Sequence, residues 1–105
     1  MNQDMTFFGK RICFFGAHPD DIEIGCGALI SHISRQTDLR TVTLSDNQKN
    51  PLLRNIVEEH YNSMNVLGVP KEKVVIGTFE TRRFPQFRQE ILEFMLEIRN
   101  SFHPD

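Results

Sequence analysis

The chain is predicted to fold as an α/β domain built on a doubly wound parallel sheet. Three observations predict it. Short apolar or β-branched runs stand at 10–16, 39–44 and 74–76. Helically spaced apolar residues follow each run. Glycine, proline and polar clusters punctuate the junctions. Strand, helix, strand, helix, strand, helix is the order that a parallel sheet with right-handed crossovers requires, and it sets every strand's C-terminal end along one edge.

The first run, Lys10 to Gly16, is apolar and ends in glycine, which suits a buried strand. Ile24 to Ser34 carries Ala28, Leu29 and Ile33 on one helical face, and Gly25 and Gly27 allow its start to press closely on a neighbour. Leu39 to Leu44 alternates and is rich in β-branched residues, so it reads as the second strand. Ser45 to Pro51 is a polar loop. Leu53, Ile56, Val57, His60, Met64 and Leu67 then keep helical spacing, and Gly68 stands where a C-terminal cap belongs. Val74-Val75-Ile76 is a short third strand, followed by a polar stretch from Gly77 to Phe84. Phe87, Ile91, Met95, Ile98 and Phe102 repeat at steps of three and four, which predicts a third helix with Pro85 at its start.

At 105 residues there is room for one domain at most, and residues 1–105 read as the N-terminal part of one. A net charge of −2 gives no electrostatic basis for binding nucleic acid or an anionic membrane. No apolar stretch approaches the ~20 residues of a membrane span. Met1-Asn2-Gln3-Asp4-Met5 lacks the basic-then-apolar plan of a signal peptide, so a cytoplasmic location is expected. Cys13 and Cys26 form no C-x-x-C pair and read as reduced, buried thiols rather than a disulfide or metal ligands.

The most informative residues are Ala17-His18-Pro19-Asp20-Asp21, directly after the first strand. Imidazole nitrogen and carboxylate oxygen are good zinc ligands, and a catalytic zinc site pairs about three protein ligands with water. At a strand-to-helix turn, residues 18 and 21 can converge on one point while residue 20 leans towards the water. A neighbouring carboxylate can then act as general base. Two ligands and a base are visible; a third ligand is not. The bland alternative is a helix N-cap, with Asp20 or Asp21 accepting backbone N–H bonds.

Residues 16–27, G-A-H-P-D-D-I-E-I-G-C-G, resemble the signature of the LmbE-like (PIG-L type) zinc-dependent N-acetylglucosaminyl deacetylases. Thr43-Leu44-Ser45-Asp46, Arg54 with Glu58 ahead of Leu67-Gly68-Val69, and the run into Phe102-His103-Pro104-Asp105 look like later parts of the same family pattern. The resemblance implies a Rossmann-like three-layer sandwich, apparently truncated after the third helix. It also implies hydrolysis of an acetamide on a small-molecule amino sugar, to acetate and a free amine. His18 and Asp21 would be metal ligands, Asp20 the general base, and zinc (or iron) the metal. Arg54 would contact substrate by family position. Two departures stand out: Gly27-Ala28 where the family commonly has Gly-Gly, and Asn and Lys in the Ser45–Pro51 loop where many members carry Gly and Glu. The family's third ligand, a histidine in a later motif, has no counterpart here.

Of the remaining residues, His60 lies on an apolar helical stripe and reads as a core histidine rather than a ligand. His32 sits near a helix C-terminus, where a cation complements the dipole. Arg82 and Arg83 fall on the ligand edge, where they could hold an anionic group of the substrate or remain solvated. Arg54 could instead pair with Glu58. Three function classes stay open: a metal-dependent de-N-acetylase, a non-catalytic Rossmann-like binding module that keeps the acidic loop as a cap, and another metallohydrolase such as a phosphoesterase. An open sheet edge is compatible with homo-oligomers.

Overall fold

A computed structural model describes residues 11–48 and 51–105. The expected start of the first strand at Lys10, and Lys49 and Asn50 of the polar loop, lie outside the described residues. The elements are β1 (Arg11–Gly16), α1 (Asp21–Ile33), β2 (Asp38–Thr43), α2 (Ile56–Val66), β3 (Val74–Ile76) and α3 (Arg88–Phe102). Single 3₁₀ turns stand at Pro51–Leu53, Lys71–Lys73 and Phe84–Phe87.

The predicted α/β order is present. The strands form a parallel sheet in the order β1-β2-β3. Arg11 to Gly16 pair in register with Asp38 to Thr43, and Thr41 to Thr43 with Val74 to Ile76. Side chains alternate across a strand. Ile12 and Phe14 of β1, Leu39 of β2, and Val74 and Ile76 of β3 therefore share one face. There they pack with Ile22, Ile30 and Ile33 of α1, Met64 of α2, and Val69 beyond it. Arg11 and Arg40 point to the other face, where the Phe102 ring of α3 lies 4.4 Å from each guanidinium carbon. Helices thus cover both faces of the sheet.

Several boundaries differ from the sequence reading. The first helix begins at Asp21, three residues earlier than Ile24. The second loses Leu53 to a 3₁₀ turn, and Pro85 falls within a 3₁₀ turn rather than at the start of the third helix. On α3, Ile91, Phe94, Ile98 and Phe102 are the more protected apolar residues, whereas Met95 remains 37% exposed. A step of four from Ile91 selected Met95; the packed face uses the step of three to Phe94.

Two glycines meet real constraints. Gly68 ends α2 with φ +95°, and its N–H donates to Asn65 while that of Val69 donates to Met64. This is a Schellman cap, which satisfies the helix's last carbonyls. Gly77 follows β3, and a Cβ there would lie 2.7 Å from the Leu44 carbonyl oxygen, so the backbones approach too closely for any side chain.

At the opposite, N-terminal edge of the sheet, Asp38 accepts hydrogen bonds from Arg11 and Arg40 and pairs with Lys73 at 3.5 Å. Arg11 also donates to the Phe102 carbonyl at the end of α3. The Asp105 N–H donates to the Arg11 carbonyl on the outer edge of β1. The strand order runs from β1 to β3 in one direction, and α3 returns across the other face to the N-terminal edge beside β1. In open parallel sheets ligands bind outside the strand C-termini.

Gly77→Ala is expected to cost about 1–3 kcal/mol, the usual range for forced overpacking, read as a lower urea midpoint. The Arg40 hydrogen bond holds the Asp38 carboxyl below its ordinary 3.8 against the opposing effect of burial, and the charges of Arg40, Arg11 and Lys73 add to the lowering. A depressed carboxyl contributes stability that is complete above the unfolded value and is lost as pH falls through the folded one. Melting temperatures between pH 5 and about pH 2 should therefore fall further for the parent chain than for Asp38→Asn. Parallel curves would count against that role.

Candidate functional site

The β1–β2 ladder continues past the strands. Leu44 N–H donates to the Gly16 carbonyl and Ser45 N–H to that of Ala17, both at 3.0 Å. These bonds hold the His18–Asp21 loop beside the loop after β2. Pro19 is buried and stiffens the turn, and Asp21 N–H closes it on the His18 carbonyl at 3.2 Å.

The capping alternative forms only in part. Asp20 occupies the N-cap position with φ 86°, but its side chain makes no capping hydrogen bond. The Asp21 carboxylate instead reaches back to accept the His18 backbone N–H at 2.9 Å. A left-handed backbone costs an L-residue roughly 1–2 kcal/mol, although aspartate tolerates it better than most. Asp20 is exposed, and of the loop's His18, Asp20 and Asp21 only His18 lines the neighbouring cleft.

His18 Nδ1 and Asp21 Oδ2 stand 3.5 Å apart. Two donors on one tetrahedral zinc with bonds of about 2.0–2.1 Å are separated by about 3.3 Å, so this pair has the spacing of two ligands on one ion. His18 Nε2 is shielded from solvent and has no hydrogen-bond partner among the described residues. The ring lies on Phe84, with centroids 5.6 Å apart and planes 18° from parallel. Among the described residues, no group of three or more His, Cys, Asp and Glu converges as a metal site.

An open cleft of about 1060 Å³ spreads from His18 along the sheet's C-terminal edge. The loops after β2 (Ser45 to Gln48) and β3 (Thr78 to Arg82) line it, with Phe87 and Glu90. A closed set of polar contacts ties these loops together. Ser45 and Thr81 hydroxyls meet at 2.9 Å, Thr81 donates to the Asn47 side-chain carbonyl, and Asn47 N–H donates to Ser45 Oγ at 3.2 Å. The sequence marked both segments as loops; nothing in it joined Thr81 to Ser45 across 36 residues.

Of the three arginines, Arg82 lines the cleft. Arg83 turns to Glu80 and Gln86. Arg54 is exposed ahead of α2 and is not among the lining residues. The lining carries Asp46, Glu80 and Glu90 against Arg82, an acidic balance.

His60 is a core residue. Its ring is fully buried, with Nδ1 3.1 Å from Glu23 Oε2 and Nε2 3.4 Å from Thr43 Oγ1. The contact fastens the first turn of α1 to α2 and β2 directly behind the loop. Glu23 escaped the sequence reading, although it stands two residues after Asp21. His103 ends α3 near the start of β1, whereas His18 follows its end. The six residues of β1 place them about 17 Å apart along the strand. Cys13 and Cys26 are both free and half-buried. Burial pushes the Cys13 thiol up to about 11, with Arg40 opposing it slightly.

Over 60 residues, 57% of this chain, the sequence is 35% identical to the protein named "Uncharacterized deacetylase YaiS" of Escherichia coli (strain K12). The match covers 32% of that protein, so the chain spans about a third of the relative's length. No family model matches. The chain is therefore similar, through more than half its length, to a protein named as a deacetylase. No helix among the described residues is long and apolar enough to cross a membrane.

Thr81→Val removes the hydroxyl that joins the two cleft loops and keeps its volume. A cost of about 1–3 kcal/mol is expected from the partners left unsatisfied. Amide exchange should quicken at residues 45–48 and 78–81 but not in α2. Unchanged exchange there would show that the loops hold their places without it.

Proposed function

We propose that this chain carries the reaction centre of a metal-dependent de-N-acetylase of the LmbE-like type, acting on an N-acetylglucosamine-type sugar or conjugate. The observation that supports it most is the His18–Asp21 donor pair beside an exposed Asp20, in the loop at the C-terminal end of β1. The likeness to a protein named as a deacetylase supports the same reaction class.

His18 and Asp21 would hold zinc, or iron, which suits the same donors. When bound, such an ion polarises a carbonyl and acidifies a water molecule. Asp20 takes the proton from the water that attacks the acetamide carbon, and hands it to the departing amine as the C–N bond breaks. The products are acetate and a free amino sugar. The Asn47 and Gln48 amides and the Thr78 hydroxyl along the cleft suit a polyol. The acidic lining is a poor match to a phosphate ester, which favours the acetamide over a phosphoesterase reading. A cytoplasmic setting and a small-molecule substrate belong to this reading.

A second reading, a non-catalytic binding module, draws on one observation: no third protein donor converges among the described residues. Zinc titration separates the two. The 105-residue chain is expected to take up zinc that a His18→Ala, Asp21→Ala double variant does not; equal uptake by both overturns the metal reading. Asp20→Asn is expected to lower hydrolysis of N-acetylglucosamine conjugates by about 10²–10⁴-fold while zinc uptake stays unchanged. Full activity in that variant removes Asp20 from the mechanism.

A further inference from the structure

We infer that Phe84 is the positioning residue that holds the His18 imidazole in place as a metal donor, an assignment that rests on the metal reading above. A ligating histidine is ordinarily oriented by a hydrogen bond from its second ring nitrogen to a carboxylate or carbonyl. His18 lacks that device. Among the described residues its Nε2 has no hydrogen-bond partner, and Nδ1 is 3.5 Å from Asp21, long for a hydrogen bond. The backbone N–H bond to Asp21 fixes the start of the side chain but leaves the ring free to turn. With its side chain 36% exposed, core packing does not hold the ring either. The flat face of Phe84, 18° from parallel to the imidazole, is the contact that selects its plane.

Phe84 is itself well supported. It opens the 3₁₀ turn Phe84–Phe87, where Pro85 restricts the backbone. Phe87 at the turn's end packs near Phe79, at 6.3 Å between centroids, and Phe79 meets Phe94 of α3 edge-on at 5.6 Å. Arg83 is paired with Glu80 immediately before it. The loop after β3 thus delivers an aromatic face to the donor from the loop after β1. Preorganising a donor in this way raises affinity by reducing the rotamer freedom lost on binding.

The test uses the 105-residue chain, zinc competition against a chromophoric chelator, and NMR of the His18 ring protons. In the parent, ring current from Phe84 is expected to displace the His18 ring-proton shifts from free-histidine positions. Phe84→Leu, which keeps apolar bulk, is expected to abolish that displacement and weaken zinc by about 10-fold, the usual scale for losing an orienting partner. Phe84→Tyr should restore both. His18→Ala sets the floor. If His18→Ala lowers zinc binding but Phe84→Leu matches the parent, the positioning role falls and the metal reading stands. If His18→Ala binds as the parent does, or the parent takes up no zinc, both fall. Free-histidine shifts in the parent overturn the stack whatever the zinc result.

Discussion

The parallel ladder between β1 and β2 is the constraint on which the rest depends. It runs in register from Arg11–Asp38 to Gly16–Thr43, then continues through Leu44 and Ser45 to Gly16 and Ala17. Those last two bonds matter most for the site, because they bind the backbone of the His18 loop to that of the Ser45 loop. Phe79 and Gly77 extend the same pattern from β3 onto Leu44 and Thr43. Three loops are thereby aligned on one edge by main-chain bonds. Their side chains can vary in chemistry without loosening the frame.

The two edges of the sheet are built differently. At the N-terminal edge, cations, a carboxylate and an aromatic ring lock together: Arg11 and Arg40 lie over Phe102, and both bind Asp38. This fastens the end of α3 to the starts of β1 and β2 and leaves little unmet bonding capacity. At the C-terminal edge, Asp20 is exposed on a left-handed backbone and His18 Nε2 is buried without a partner. Unsatisfied groups and strained backbone carry a cost that packing elsewhere must offset, and they concentrate where a chain binds something. Left-handed backbone also occurs at His103 on the opposite edge, so it is His18 Nε2, without a partner among the described residues, that sets the C-terminal edge beside β1 apart.

Behind the loop, the Glu23–His60–Thr43 contacts tie α1, α2 and β2 into one block. His60 was legible as a core residue because it falls on the same helical stripe as Ile56 and Met64. Its partner was not, since Glu23 lies 37 residues away and reads in isolation as an acidic residue in a helix's first turn. Phe84 was hidden for a similar reason. It ends a polar stretch, so its hydrophobicity signalled nothing until the fold set it on His18.

What the amino-acid order determined alone is the alternation of elements and the position of the His18-Pro19-Asp20-Asp21 loop. Both rest on local physics: β-branched runs, helical periodicity, and the turn residues that separate them. Gly68 as a helix terminator belongs to the same class. Which residues meet was decided by tertiary structure. Thr81 reaching Ser45, Phe84 stacking on His18, Phe94 replacing Met95 on the buried face of α3, and Arg82 rather than Arg54 or Arg83 lining the cleft all depend on contacts between distant segments. Such contacts arise from the common direction and stagger of parallel strands, which no short window of sequence encodes.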